Sequence, residues 1–93
     1  MELLGAEGME AVAVYLIHHP DAGDVIPASG GLRKLRWPAK GKGKRGGARI
    51  VYIYVFAARI YLLRCYSKNV KADLTANEKR DLRQIAAHLK GLH

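Results

Sequence analysis

From Ile50 to Phe56 every residue of this chain is β-branched or aromatic. Such side chains fill a pleated surface well and lose rotamer freedom in a helix. Successive strand residues point to opposite faces, and here neither face is polar. Residues 49–56 are therefore expected to form a central strand. Residues 59–66, again rich in Ile, Tyr and Leu, read as its neighbour. The link near Ala57-Ala58 is short and lacks the Gly or Asn of a tight hairpin, which leaves its turn type open.

Around that strand the remaining elements fall into place. In residues 7–18, Met9, Val12, Ala13, Leu16 and Ile17 recur at spacings near three and four, the stripe of an amphipathic helix, and Pro20 stops it. Residues 21–24 make a turn and residues 25–31, with Pro27, Gly30 and Gly31, an irregular segment. Residues 32–37 read as a short strand, with Leu32, Lys34 and Arg36 on one side and Arg33, Leu35 and Trp37 on the other. Pro38 ends it or sets it at an edge. Trp37 is expected to pack beneath the loop that follows. Thr75-Ala76-Asn77-Glu78 has the form of a capping box. Leu82, Ile85, Ala86 and Leu89 then mark the buried stripe of a last helix, with Lys79, Arg80 and Arg83 outward. The order predicts an α+β fold: one domain over residues 1–93, a small antiparallel sheet flanked by helices.

Charge is distributed unevenly. The net charge is +8 over 93 residues. Residues 1–24 carry Glu2, Glu7, Glu10, Asp21 and Asp24 but no Lys or Arg. Residues 25–72 carry no Asp or Glu and most of the 16 Lys and Arg. A block of that kind projects a positive field whose commonest partner is nucleic acid, though an acidic protein or anionic lipid also satisfies it. Residues 39–47 concentrate the effect. Their glycines oppose helix and packed strand, and Lys40, Lys42, Lys44 and Arg45 favour water or phosphate over a core. The longest apolar-rich stretch, residues 50–63, is interrupted by Arg59, and the first residues lack the basic start of a secretory signal. A cytoplasmic protein without a membrane span is expected. The lone Cys65 has no partner for an internal disulfide and reads as a buried, reduced thiol.

The basic middle has no His, Asp or Glu with which to build a carboxylate-pair hydrolase or a divalent-metal nuclease. His18 and His19 adjoin each other and point apart on a helix, so no metal or other cofactor is expected. The glycines of the basic loop lack the Gly-Lys-Ser/Thr ending of a phosphate loop. Arg, Lys and Tyr on a sheet remain. RNA supplies its own nucleophile, the ribose 2′-hydroxyl beside the scissile phosphate. Its cleavage needs cations to offset charge on the pentacoordinate phosphorus, a group to take the 2′ proton and one to protonate the leaving oxygen. The planar fork of a guanidinium suits the first task.

Several segments resemble the RelE/HigB family of toxin–antitoxin toxins. They are Asp24-Val25-Ile26-Pro27, the run from Gly30 through Leu32-Arg33-Lys34-Leu35-Arg36 to Trp37, and the run from Gly43 through Arg49 to Tyr52. Tyr66-Ser67-Lys68-Asn69, Asp73-Leu74-Thr75 and the final helix complete the likeness, which is to the HigB branch in particular and spans about residue 4 to the end. The resemblance implies a compact sheet flanked by helices and a metal-independent endoribonuclease that cuts translated mRNA on the ribosome, halting translation. It also implies a cognate antitoxin, often a helix-turn-helix DNA-binding protein. By position it implies catalytic roles for Arg36, Arg49, Lys68 and Tyr66, with Arg49 as phosphate stabiliser. Lys34 lies with Arg36 at the strand end that approaches RNA; Lys40, Lys42, Lys44 and Arg45 hold RNA, ribosomal RNA included, through phosphates. Relatives usually begin with a strand and a longer first helix, and this chain starts part-way into that region, so the family's N-terminal strand is expected to be missing. Two further readings compete: a non-catalytic nucleic-acid- or ribosome-binding relic of such a toxin, and an interaction protein whose basic face serves only an acidic partner.

Overall fold

The computed structural model describes residues 4–38, 47–55 and 59–92. In chain order these form α1 (Gly5–His18), β1 (Asp24–Val25), β2 (Leu32–Trp37), β3 (Ala48–Val55), β4 (Arg59–Ser67) and α2 (Ala76–Gly91). The four strands lie in sequence order in one sheet, each antiparallel to the next. The α+β architecture expected from the sequence is the one observed, and β3 occupies an interior position as its two apolar faces require.

Alternation along β3 divides the core in two. Val51, Ile53 and Val55 pack with Leu32, Tyr66, Leu74, and Leu82 and Ala86 of α2. Ile50 and Tyr52 pack with Leu35, Ala48, and Val12 and Leu16 of α1. One helix thus covers each face of the sheet. Only part of each expected helical stripe is used. Val12 and Leu16 are fully buried, whereas Ile17 is 68 % and Ile85 44 % exposed. A four-stranded sheet this short offers each helix a narrow seam, too narrow to cover the flanks of either stripe.

Three local features set the frame. A register shift between Val51 and Tyr52 places Leu63 as an extra residue on β4, because Val51 pairs with Arg64 and Tyr52 with Leu62. The bulge switches the alternation of β4, so that Leu63 and Tyr61 join the α2 side while Cys65, Leu62 and Ile60 face α1. Cys65 is half-buried there, less enclosed than its sequence surroundings suggest, and burial pushes its thiol pKa up. Second, β1 joins the last residue of the expected turn to the first of the segment expected to be irregular, and its Asp24 and Val25 pair with Lys34 and Arg33. The following turn is closed by Ile26 N donating to Leu32 O at 2.8 Å and by Leu32 N donating to Ser29 Oγ at 3.0 Å. Third, the buried Tyr52 hydroxyl donates to Pro20 O at 2.7 Å and accepts from Gly23 N at 2.9 Å, tying the α1–β1 turn to the sheet. Gly23 has to be glycine for this approach, since a Cβ would lie 2.8 Å from Tyr52 Cε1.

Among the described residues no helix is long and apolar enough to cross a membrane. The basic loop residues Lys40, Lys42, Lys44 and Arg45, and the Ala57-Ala58 link, lie outside the described residues.

Candidate functional site

The strand registers align the proposed site residues in rows. Arg36 on β2 is the direct partner of Arg49 on β3, and Arg49 is the direct partner of Tyr66 on β4. Directly paired residues of adjacent strands project to the same face, with Cβ atoms about 4.5–5.5 Å apart. One row further in, Lys34 pairs with Val51 and Val51 with Arg64. Beyond that, Leu32 and Ile53 belong to the core under α2. The α2 face of the sheet therefore passes from apolar, beneath the helix, to cationic at the end where β2 leaves and β3 enters.

Burial differs along the first row. Arg36 is exposed, Arg49 half-buried, and Tyr66 only 7 % exposed. Arg49 donates to its own neighbour's carbonyl, Ala48 O, at 3.3 Å. Arg36 forms no ion pair to a carboxylate among the described residues. Two guanidinium groups directly opposed repel each other, and an anion placed between them relieves that repulsion. The Tyr66 hydroxyl is buried without a hydrogen-bond partner among the described residues. Burial, and then the carboxylate of Asp73, push its pKa above the usual phenol value, so at neutral pH it is a protonated donor.

The loop from β4 to α2 closes over this end of the sheet. Lys68 N donates to Gly47 O at 3.1 Å, which fastens the loop to the entry of β3. The Lys68 ammonium donates to Ala72 O at 2.9 Å within the same loop, so its charge is held beside the first row rather than in it. Lys71 lies with its ammonium 5.4 Å from the Tyr66 ring centroid and donates to Glu78 at 2.6 Å. Asp73 accepts from Leu74 N at 2.7 Å and pairs with both Lys34 and Lys79 at 3.4 Å. The Leu74 amide, aided by the two lysines, holds its carboxyl below the usual aspartate range.

The structure thus brings Arg36, Arg49 and Tyr66 into one row, with Lys34 beside them and Lys68 at the rim. Trp37, on the opposite face, is half-buried and packs against Tyr15 with ring centroids 5.5 Å apart. Reading the sequence for function gave Lys71, Lys79 and Asp73 no role, although Asp73 stands in one of the segments that carry the resemblance. A further signal was that Asp73 is the first acid after the acid-free stretch of residues 25–72. Among the described residues no three His, Cys, Asp or Glu side chains converge as a metal-holding group.

A helix-flanked antiparallel sheet whose one end gathers arginine, lysine and tyrosine defines a small basic α+β domain. The chain belongs to the RelE toxin family: the model for the RelE toxin of the RelE/RelB toxin–antitoxin system matches residues 21–93. The matched region takes in all four strands and α2. Membership of that family implies an antitoxin partner.

Proposed function

We propose that this RelE-family chain is a ribosome-dependent endoribonuclease of the HigB branch, cutting translated mRNA in the cytoplasm by attack of a ribose 2′-hydroxyl on the adjacent phosphate. The observation that carries the reading is the Arg36–Arg49–Tyr66 row, two opposed guanidiniums and a buried hydroxyl without a hydrogen-bond partner among the described residues, with no carboxylate in the row. Two guanidiniums on one face of the sheet suit an anionic ligand. The row offers what transesterification at phosphorus requires: fixed positive charge for the pentacoordinate intermediate and a neutral donor for an oxygen that gains charge.

In this reading Arg49 is the principal phosphate stabiliser because it is the half-buried member, where a charge is less screened. Arg36 binds the same phosphate from the solvent side. Tyr66 donates to a phosphate or leaving oxygen, and Lys68 at the rim shares the proton traffic. Lys34 holds a neighbouring phosphate, and Lys40, Lys42, Lys44 and Arg45 hold message and ribosomal RNA by charge. A helix-turn-helix antitoxin neutralises the protein.

Induction in cells followed by primer extension on a reporter message tests this. Cuts are expected within codons when the message is translated and not when its start codon is removed. Arg49→Ala is expected to abolish them with an unchanged circular dichroism spectrum. Ribosome binding without cuts would favour the non-catalytic relic.

A further inference from the structure

Among the described residues, Asp73 is the one carboxylate that meets two lysines, one from the sheet and one from α2. Its Oδ1 accepts from Lys34 Nζ, on β2, and its Oδ2 from Lys79 Nζ, on α2, each at 3.4 Å. The carboxylate is itself anchored by the backbone through Leu74 N at 2.7 Å, so it does not follow the lysines; they come to it. Lys34 stands in the row next to Arg36, Arg49 and Tyr66. The Tyr66 hydroxyl, enclosed and without a hydrogen-bond partner among the described residues, is close enough to this fixed anion for the carboxylate to oppose its ionisation.

We propose that Asp73 is a positioning residue of the RNA site, an anchored anion that steers the Lys34 ammonium and the Tyr66 hydroxyl toward an incoming phosphodiester. The inference rests on the nuclease reading above and adds Asp73, with Lys79 as its second counter-ion, to the site. Asp73 is not the proton acceptor. A carboxyl held below the usual aspartate range is a poor base near neutrality. Its effect is exerted through the groups around it. Without the carboxylate, Lys34 and Lys79 lose their common anchor, and the mutual repulsion of Lys34 and Arg36, two residues apart on one face of β2, moves the ammonium outward. Tyr66 loses the negative charge that opposes its ionisation. The other charged groups about Tyr66 are Arg49 on β3, which favours ionisation, Glu78 on α2, which opposes it, and the Lys71 ammonium over its ring.

The test uses the full chain on ribosomes carrying a defined message, with Asp73→Asn, Asp73→Glu and Tyr66→Phe. Asparagine keeps an acceptor for Leu74 N, so the local turn is retained. Asp73→Asn is expected to lower single-turnover cutting at least tenfold with ribosome affinity little changed, and Asp73→Glu to recover part of the loss. The alkaline limb of the cutting profile moves to lower pH in Asp73→Asn. In the free protein, the Tyr66 Cζ signal, assigned by its loss in Tyr66→Phe, titrates at lower pH by NMR. A purely structural role for Asp73 would lower Tm and leave both pH midpoints in place, which overturns the proposal. Wild-type cutting rates in Asp73→Asn overturn it as well. An unshifted Tyr66 titration does so whether or not the wild type cuts RNA. A shifted titration in a wild type that leaves ribosome-bound message intact overturns the nuclease reading alone.

Discussion

Arg36 and Arg49 are direct cross-strand partners on the α2 face of the sheet. Like charges directly opposed in a ladder weaken it, so this pairing works against the fold, and in the proposed function an anion offsets it. Neutralising the exposed Arg36 is expected to leave the protein as stable as the wild type or more so, by about 0.2–1 kcal/mol. Cutting of translated message is expected to fall by a factor of about 10²–10³ for Arg49→Ala, the size of losing one transition-state hydrogen-bond donor. Urea denaturation together with primer extension reads both effects. A variant that is destabilised and inactive would point to a structural arginine instead.

The basic loop carries a different prediction. If Lys40, Lys42, Lys44 and Arg45 act as phosphate binders, replacing them weakens ribosome association without moving the cut sites. Each neutralised contact is expected to lower the slope of log affinity against log salt by about 0.7–1. Sedimentation with ribosomes over a salt series measures the slope. An unchanged slope in the fourfold variant excludes the loop from the interface.

The Tyr52 hydroxyl links Pro20 O and Gly23 N across the α1–β1 turn from a fully buried position. Burial raises its pKa, so it remains a neutral donor and acceptor in the physiological range. Tyr52→Phe leaves both backbone groups without that partner, and a loss of about 1–3 kcal/mol is expected from urea denaturation. Cutting is expected to persist, because Tyr52 faces α1 and the Arg36–Arg49–Tyr66 row faces α2. Gly23→Ala is expected to cost at least as much, since its Cβ would press on the same ring.

These residues also show what could be read without a structure. The unbroken run from Ile50 to Phe56 announced an interior strand, and period two in residues 32–37 correctly put Lys34 and Arg36 on one side. The capping box at Thr75 was legible because it is a purely local pattern, and both of its hydrogen bonds are present. Arg36, Arg49 and Tyr66 were legible as candidates but not as neighbours: their alignment depends on strand register, which alternation alone fixes only to within two residues. The bulge at Leu63 was invisible, since no Gly or polar residue marks it, and without it the face assignments of Ile60 and Leu62 come out reversed. Asp73, though part of a resembling segment, was given no role for a related reason. Its meaning lies in Lys34, 39 residues earlier, and Lys79, which read as an ordinary outward helical lysine. Ile17 and Ile85 erred the other way: periodicity reports which residues can be buried, while the width of the sheet decides which are.

Glu78 leads to a prediction about acid. Its carboxylate takes part in the capping box, accepting from Thr75 N at 2.8 Å, and also binds Lys71 at 2.6 Å and Arg64 at 3.0 Å. The Lys71 contact and the Thr75 amide together lower its pKa from 4.5 to about 2. A carboxyl depressed on folding adds stability that is fully present above its unfolded value and is lost as pH falls through its folded value. The wild type is therefore expected to lose stability progressively from about pH 4.5 down to about pH 2 as this site protonates. Glu78→Gln is expected to flatten that part of the profile and to be the less stable protein near neutrality, where it lacks the charge that clamps β4 and its loop to α2. Thr75→Ala removes the other half of the cap and is expected to cost about 1 kcal/mol at all pH values, without altering the acid slope. Thermal melts of the three proteins between pH 2 and 7 separate these contributions. Parallel acid profiles for wild type and Glu78→Gln would show that Glu78 is not the group whose protonation loosens the helix.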